Sequence, residues 1–85
     1  MTVIVDVIAV TPRSPRLLDL VFDDGVAGTV DLDEVVGAYN GVFAPLLDPA
    51  FFARVVVDRD TGTVAWPNGA DIAPETLYAA LRRRG

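Results

Sequence analysis

The chain has 85 residues, a hydrophobic content of 52% and a formal net charge of -5 at pH 7. This length leaves room for one hydrophobic core, so residues 1–85 are expected to form a single domain. The acidic balance disfavours direct contact with the phosphate backbone of nucleic acids. Because the sequence contains no cysteine, it excludes disulfides and thiolate metal sites.

The opening segment is strongly apolar, but it indicates neither a secretion signal nor a membrane span. It lacks a basic start, and Asp6 interrupts the apolar run. We therefore expect a cytoplasmic protein that does not cross a membrane.

β-Branched residues and alternation predict a strand and a hairpin near the N-terminus. Val3–Val10 is the first predicted strand, and the proline-rich segment Thr11–Pro15 is expected to end it. Arg16–Phe22 and Val26–Val30 are predicted to pair across the turn Asp23-Asp24-Gly25. Asp tolerates tight turn geometry and Gly supplies a positive φ, so the turn favours this pairing.

Helices and a second hairpin are predicted in the rest of the chain. Asp31–Val36 and Asp48–Ala53 are expected to form short helices, because each contains an Asp that can cap the first turn. Arg54–Val57 and Thr63–Trp66 are predicted to pair around a turn rich in Asp and Gly. Pro74–Arg83 should form the last helix, since its apolar residues fall on one side.

These elements together predict an α+β fold. We expect a small, mainly antiparallel sheet of about five strands in two hairpins plus an N-terminal strand, with one or two short helices and a C-terminal helix. The segment 42–47 stays open between helix and strand, although Pro45 argues against a central strand.

The sequence supplies few residues for catalysis. It contains no His, Cys or Lys, and Ser14, in the segment Pro12-Arg13-Ser14-Pro15, has no available base. We therefore expect no enzyme, no catalytic residues and no cofactor. Hydrolysis by carboxylates is the remaining catalytic alternative, and it would require Asp71 to lie in a cleft beside a second acid.

The segment Asp58-x-Asp60-x-Gly62 resembles the start of a calcium-binding loop. Position five of such a loop needs an oxygen ligand and position twelve a bidentate Glu, whereas this sequence has Gly62 and Gly69 there. We expect a hairpin loop whose Asp side chains bond their own backbone, and no metal site.

The second predicted strand indicates a surface for a partner. Alternation places Leu17, Asp19 and Val21 on one face, which only Asp19 makes polar. The opposite face consists of Leu18, Leu20 and Phe22. A half-exposed strand normally carries polar residues on its open face. We therefore expect the final helix or another chain to cover Leu17 and Val21, and we favour another chain for part of this face.

Asp23 and Asp24 follow this strand and extend the candidate partner surface. With the acids nearby they form an acidic cluster that would suit an Arg- or Lys-rich partner. The alternative, which we favour, is that a turn and a helix start use Asp for its geometry alone. The nearby acids are Asp31, Asp33 and Glu34.

The segment Thr63–Tyr78 combines residue types that each solve a backbone problem. Trp66 is expected in the core, with its indole N–H bonded to backbone. After Pro67, the pair Asn68-Gly69 supplies left-handed geometry for a turn. Asp71 precedes the last helix and is expected to accept backbone N–H bonds from that turn. The arrangement predicts a structural joint and not a reaction.

The motifs along the chain are Val7-Ile-Ala-Val10, Phe22-Asp-Asp-Gly25, Val30-Asp-Leu32, Phe43-Ala-Pro-Leu-Leu-Asp-Pro-Ala-Phe-Phe52 and Trp66-Pro-Asn-Gly-Ala-Asp71 with Pro74-Glu-Thr-Leu-Tyr78. In these motifs, over about residues 7–81, the sequence resembles the small bacterial proteins of domain-of-unknown-function family 2442. The resemblance implies an α+β fold with a mainly antiparallel sheet and no established activity. It also implies occurrence in toxin–antitoxin-like gene neighbourhoods. Some members carry a fused helix-turn-helix domain, which these residues do not include.

Two hypotheses for the function follow. The first is a non-enzymatic protein-interaction module that binds a protein partner or itself, as a homo-oligomer or heterocomplex, with an antitoxin-like role against a basic protein as its sharper form. Its candidate partner-binding residues are Leu17, Asp19, Val21, Asp23 and Asp24. The alternative is a small-molecule-binding regulatory domain, which would need a pocket beside Trp66, Asn68 and Asp71.

Overall fold

The computed structural model describes residues 5–84 and has an α+β architecture. Within these residues, five strands form two antiparallel sheets, and three α-helices and one 3₁₀ helix accompany them. The α+β class, the five strands and the two hairpins are confirmed, but the strands are divided between a three-stranded and a two-stranded sheet. The elements are β1 (Val7–Arg13), β2 (Leu17–Phe22), β3 (Ala27–Asp31), α1 (Leu32–Val35), the 3₁₀ helix (Gly41–Leu47), α2 (Pro49–Phe52), β4 (Val56–Asp58), β5 (Thr63–Ala65) and α3 (Pro74–Arg84).

β2 and β3 form the first predicted hairpin, with β2 in the centre of the three-stranded sheet. The turn closes as expected, because Gly25 has φ +90° and its N–H donates to the carbonyl of Phe22 at 3.0 Å. The Asp24 carboxylate accepts the N–H of Val26 at 3.0 Å. This Asp therefore serves the geometry of the turn, as the sequence favoured.

β1 extends further towards the C-terminus than the sequence indicated. The predicted strand ended before residue 11, but β1 runs through Pro12 to its end at Arg13. Pro12 lies opposite Leu18, whose backbone bonds β3 and not β1, so the missing N–H of proline breaks no bond in the sheet. Residues 3 and 4 of the predicted strand lie outside the described residues.

The core lies between one face of the three-stranded sheet and α3. The side chains of β2 on this inner face are fully or almost fully buried, and they are Leu18, Leu20 and Phe22. α3 packs Leu77 into the core and lays Leu81 over β3. A Cβ added to Gly28 would lie 2.8 Å from Leu81 Cδ2, so the glycine lets the helix approach the strand closely. The ring of Tyr78 meets that of Phe22 edge-on, with centroids 5.0 Å apart.

The short helices begin where Asp was expected to cap them. At the start of α1 the Asp31 carboxylate accepts the N–H of Asp33, and at the start of α2 Asp48 accepts the N–H of Ala50, both at 3.0 Å. The open segment 42–47 belongs to the 3₁₀ helix, which contains Pro45. Within residues 5–84 no helix is long and apolar enough to span a membrane.

β4 and β5 form the second predicted hairpin, which begins slightly later than expected. Its loop bonds its own backbone, because Asp58 Oδ1 accepts the N–H of Asp60 at 2.9 Å. Gly62 follows with φ +73°, and its carbonyl accepts the N–H of Val7 at 2.9 Å. This bond connects β1 to the loop of the second hairpin.

Gly62 should tolerate substitution less well than Gly25, although both have positive φ. A Cβ at Gly62 would overlap the Asp6 carboxylate, whereas a Cβ at Gly25 would meet no atom within 4 Å. We expect Gly25→Ala to cost backbone strain alone, roughly 1–2 kcal/mol, and Gly62→Ala to cost on the order of 1 kcal/mol more. Urea unfolding measures both, and Asp6→Ala in the Gly62→Ala background should recover part of the loss. Equal losses in the two glycine variants would contradict this account.

Candidate functional site

The candidate partner residues of β2 lie on the face of the three-stranded sheet that α3 does not cover, here called the outer face. Its members from β1 are Ala9, Thr11 and Arg13, from β2 Leu17, Asp19 and Val21, and from β3 Ala27, Thr29 and Asp31. Leu17, Asp19 and Val21 are each half-buried. Of the two covers expected from the sequence, α3 packs on the inner face. No described element lies across the outer face, because its members Ala9, Thr11, Arg13 and Ala27 are exposed.

A network of polar side chains occupies the centre of the outer face. Arg13 Nε lies 2.8 Å from Asp19 Oδ2, and Thr29 Oγ1 donates to Asp19 Oδ1 at 2.6 Å. The bonds from Thr29 and Arg13 hold the pKa of Asp19 below its usual value. Asp19 is therefore ionised and paired within its own chain, between the half-buried side chains of Leu17 and Val21.

The structure separates the predicted acidic cluster into two groups at opposite ends of β3. Asp23 and Asp24 lie in the turn before β3, whereas Asp31, Asp33 and Glu34 lie where β3 passes into α1. The extended strand between the groups keeps them apart, at a rise of about 3.3 Å per residue. Thus Asp23 and Asp24 do not adjoin Asp31 and α1, and the outer face has an acidic group at each end.

Tyr78 in α3 ties the acidic turn to the helix. Its hydroxyl donates to Asp24 Oδ2 at 2.8 Å. The backbone N–H of Val26 and this hydroxyl lower the pKa of the Asp24 carboxyl. The same contact raises the pKa of Tyr78.

Asp33 forms the most tightly bonded carboxylate at the other end. Arg16 approaches it with two nitrogens, Nε at 2.7 Å and Nη2 at 3.1 Å, and the Tyr39 hydroxyl donates to it at 2.6 Å. Arg16, and then Tyr39, lower the pKa of Asp33 to about 2. Burial and the hydrogen bond to Asp33 raise the pKa of Tyr39 to about 12. The guanidinium of Arg16 also lies 5.5 Å from the centre of the Tyr39 ring.

This bonding predicts that Asp33 contributes to stability at neutral pH and loses its contribution in acid. Its pKa in the folded chain, about 2, lies below the ordinary 3.8, so the contribution is present above pH 4 and disappears as the pH falls towards 2. Asp33→Asn should therefore lower the melting temperature at pH 7 and change it progressively less below pH 4. The effect is modest, because the pair is partly exposed and screened by solvent.

Thermal unfolding followed by circular dichroism from pH 7 to pH 2 measures this difference. Asp60→Asn is the matched control, because Asp60 lies exposed in the β4–β5 loop. A difference in melting temperature between Asp33→Asn and the original chain that stays constant down to pH 2 would contradict the assignment.

Trp66 lies in the core and holds a joint between three elements. It is 3% exposed, and its indole N–H donates to the carbonyl of Phe52 in α2 at 3.0 Å. Its backbone N–H donates to the carbonyl of Ala70 at 2.9 Å, and its carbonyl accepts the N–H of Gly69 at 3.0 Å. Gly69 has φ +89°, the left-handed geometry expected there. The turn therefore doubles the chain back on Trp66 before α3 begins.

Asn68, and not Asp71, makes the side-chain bonds of this turn. Its Oδ1 accepts the N–H of Ala70 at 3.1 Å, and its Nδ2 donates to the carbonyl of Val42 in the 3₁₀ helix at 2.8 Å. Asp71 instead pairs through its backbone with Ala65, and its exposed side chain makes no hydrogen bond to the described residues. The expected capping role of Asp71 is thus wrong, because the amide of Asn68 is closer in sequence to the N–H that needs an acceptor.

Asp71 lies at the rim of a groove of ≈360 Å³. Apolar side chains form most of its wall, and Asn40 and Thr76 also reach it. The groove borders Asp71 but not Trp66 or Asn68, and Asp71 is the sole acid among its lining residues. The second acid that hydrolysis by carboxylates requires is therefore not part of this groove. Among residues 5–84 no group of three or more acidic side chains is arranged to hold a metal ion.

The different roles of Asn68 and Asp71 give a direct test of the joint. We expect Asn68→Ala to lower the free energy of unfolding by about 1–2 kcal/mol, because it removes two hydrogen bonds that connect the turn to the 3₁₀ helix. Asp71→Ala should change it by less than about 0.5 kcal/mol, as is usual for an exposed side chain without a bond. Chemical denaturation measures both, and a larger loss for Asp71→Ala would restore the capping role to Asp71.

The comparison with known proteins identifies one family. The family described as protein of unknown function (DUF2442) has a model that matches residues 7–83, nearly the whole chain. No curated protein and no solved structure gives a significant match.

Proposed function

The chain belongs to the DUF2442 family of proteins of unknown function, and we propose that it is a non-enzymatic, cytoplasmic protein-interaction module that binds a basic protein in an antitoxin-like manner. The observation that carries the proposal is the outer face of the three-stranded sheet. Its apolar residues Leu17 and Val21 are only half-buried, and no described element covers them.

The pairing of charges on the outer face supports its burial by a partner. An unpaired charge is costly to remove from water. Here the Asp19 carboxylate already has Arg13 and Thr29 as partners within the chain. A second protein could therefore cover Leu17 and Val21 without leaving an unpaired carboxylate at the centre of the contact.

The distribution of acids supports a basic partner. Asp23 and Asp24 lie at one end of β3, and Asp31 and Asp33 at the other, in a chain of net charge -5. Such a field attracts a positively charged protein and speeds its association, and it repels a second acidic chain.

The non-enzymatic part of the proposal draws on the residue types present. The sequence has no His, Cys or Lys to act as a base or nucleophile. Ser14 is exposed between Arg13 and Pro15.

A small-molecule-binding regulatory role is the second candidate, and the groove beside Asp71 favours it. Its volume of ≈360 Å³ reaches the lower end of the range for ligand pockets, about 300–1,000 Å³. It combines apolar walls with the polar side chains of Asn40, Asp71 and Thr76. These three side chains are exposed, so the groove would cover a ligand only in part.

The first test compares two variants that carry the same change on different surfaces. Val21→Arg places a charge on the outer face, and Val42→Arg places it on the 3₁₀ helix, where Val42 is 50% exposed. We expect an affinity-tagged chain to retain a basic protein from extracts of its host. Val21→Arg should reduce the retained amount by about tenfold or more, while Val42→Arg should leave it unchanged.

Melting temperatures of both variants serve as the control for folding. Loss of the partner in both variants, or in neither, would contradict binding at the outer face. Native mass spectrometry of the same purified chain detects the alternative, because a small molecule bound in place of a protein would favour the groove beside Asp71.

A further inference from the structure

The two edges of the three-stranded sheet differ in their protection against further strands. The β1 edge contains Pro12 and a bulge at Ile8, and Val7 is bonded to Gly62 in the β4–β5 loop. Proline, bulges and neighbouring elements are the usual means of blocking an edge. The β3 edge, residues 27–31, contains no proline, no bulge and no Lys or Arg. β3, which ends in the charged Asp31, is therefore the less protected of the two edges.

The register shows which backbone groups point outwards from β3. Phe22 donates to the carbonyl of Val26, and Leu32 donates to that of Arg16, at the two limits of the β2–β3 pairing. Because bonded pairs alternate along an antiparallel ladder, Gly28 and Val30 bond β2. The N–H and C=O groups of the alternate residues point away from the sheet. Those residues are Ala27, Thr29 and Asp31. The carbonyl of Asp31 is engaged by the first turn of α1, because Asp31 is the N-cap of that helix, so Ala27 and Thr29 offer both backbone groups and Asp31 its N–H.

The acids at the two ends of β3 decide between a second copy and a basic strand. A second copy paired antiparallel about Thr29 would bring the Asp23-Asp24 turn of one chain towards α1 of the other, where Asp33 and Glu34 lie. Although Arg16 pairs with Asp33, each end keeps an excess of acidic residues, so an acidic group of one chain would face an acidic group of the other, which is unfavourable. A strand with Arg or Lys at both ends would place opposite charges there instead.

We propose that the β3 edge binds an extended segment of the basic partner as an added strand, with about five residues along Ala27–Asp31 and Arg or Lys residues at both ends. This inference rests on the proposed function and names its contact. The outward N–H and C=O groups supply affinity, and the two acidic groups supply selectivity for charge. The small, exposed side chain of Ala27 leaves room on the outer face for a side chain of the added strand, whereas Leu81 already fills the space over Gly28.

Synthetic peptides test the edge directly in the full chain. The probe is acetyl-Arg-Arg-Val-Thr-Val-Thr-Val-Arg-Arg-amide, and its control carries Glu in place of every Arg. Nuclear magnetic resonance of labelled protein follows the exchange of individual backbone amides. We expect the Arg-ended peptide to slow the exchange of Ala27, Thr29 and Asp31 by about tenfold or more at saturation. Gly28 and Val30, which already bond β2, should change little.

Two substitutions at one position separate the backbone contact from the side chain. Thr29→Pro removes an outward N–H without breaking a bond to β2. It should weaken binding of the Arg-ended peptide by about tenfold or more. Thr29→Val removes only the hydroxyl that bonds Asp19, and it should bind as the original chain does. If Thr29→Pro fails to fold, the exchange pattern of the original chain still decides the question.

Three results would overturn the inference. One is equal binding of the Arg-ended and Glu-ended peptides, and another is protection at amides other than the outward ones. The third is a dimer seen by light scattering, together with amide protection of Ala27, Thr29 and Asp31 that is lost when the protein is diluted. That result would assign the edge to a second copy of the chain. If Val21→Arg releases the partner protein but Thr29→Pro retains it, the edge contact fails while the proposed function stands. If neither the original chain nor any variant retains a protein, the proposed function fails, whatever the peptides show.

Discussion

The hydrogen bond from the indole N–H of Trp66 to the carbonyl of Phe52 fixes the arrangement of the second half of the chain. The indole is buried against the Phe52 ring, with centroids 6.2 Å apart. Packing fixes the position of the side chain, and the hydrogen bond of its N–H fixes its orientation. The turn after Trp66 bonds back to it and passes the chain on to α3. In a domain this small, one large side chain held in this way sets where α2, β5 and the start of α3 meet.

The position of α3 then decides which face of the first sheet is buried. Leu77 enters the core, and Leu81 lies over Gly28, so the inner face is filled from this side. The same strand, β2, presents Leu17 and Val21 to the other side, where no described element packs. Apolar side chains left half-buried beside a polar network are compatible with an interaction surface. The open face is thus a consequence of packing α3 on one side of a strand that is apolar on both.

Most of the bonded carboxylates in this acidic chain first serve its own backbone. Asp24 closes a turn, and Asp31 and Asp48 begin helices. Asp19 and Asp33 are paired with arginines. Because of these local roles, negative charge lies at both ends of β3 even if no partner requires it there. The acidic groups that the proposal assigns to a basic partner can therefore arise from residues whose geometry the fold already needs, and the β3 edge lies between them.

The sequence by itself determined the local elements: both hairpins, the Asp caps and the burial of Trp66 depend on neighbouring residues and on side-chain size. Only the tertiary structure decided features that depend on distant partners. β1 continues through Pro12 because the neighbouring strand is bonded elsewhere at that position, which the sequence around Pro12 does not reveal. Asn68 replaces Asp71 as the bonded side chain of the turn because the carbonyl of Val42 lies within reach of its amide. The division into two sheets and the uncovered side of Leu17 and Val21 likewise follow from where α3 and the second hairpin pack, since alternation along a strand defines its faces but not which face another element will cover.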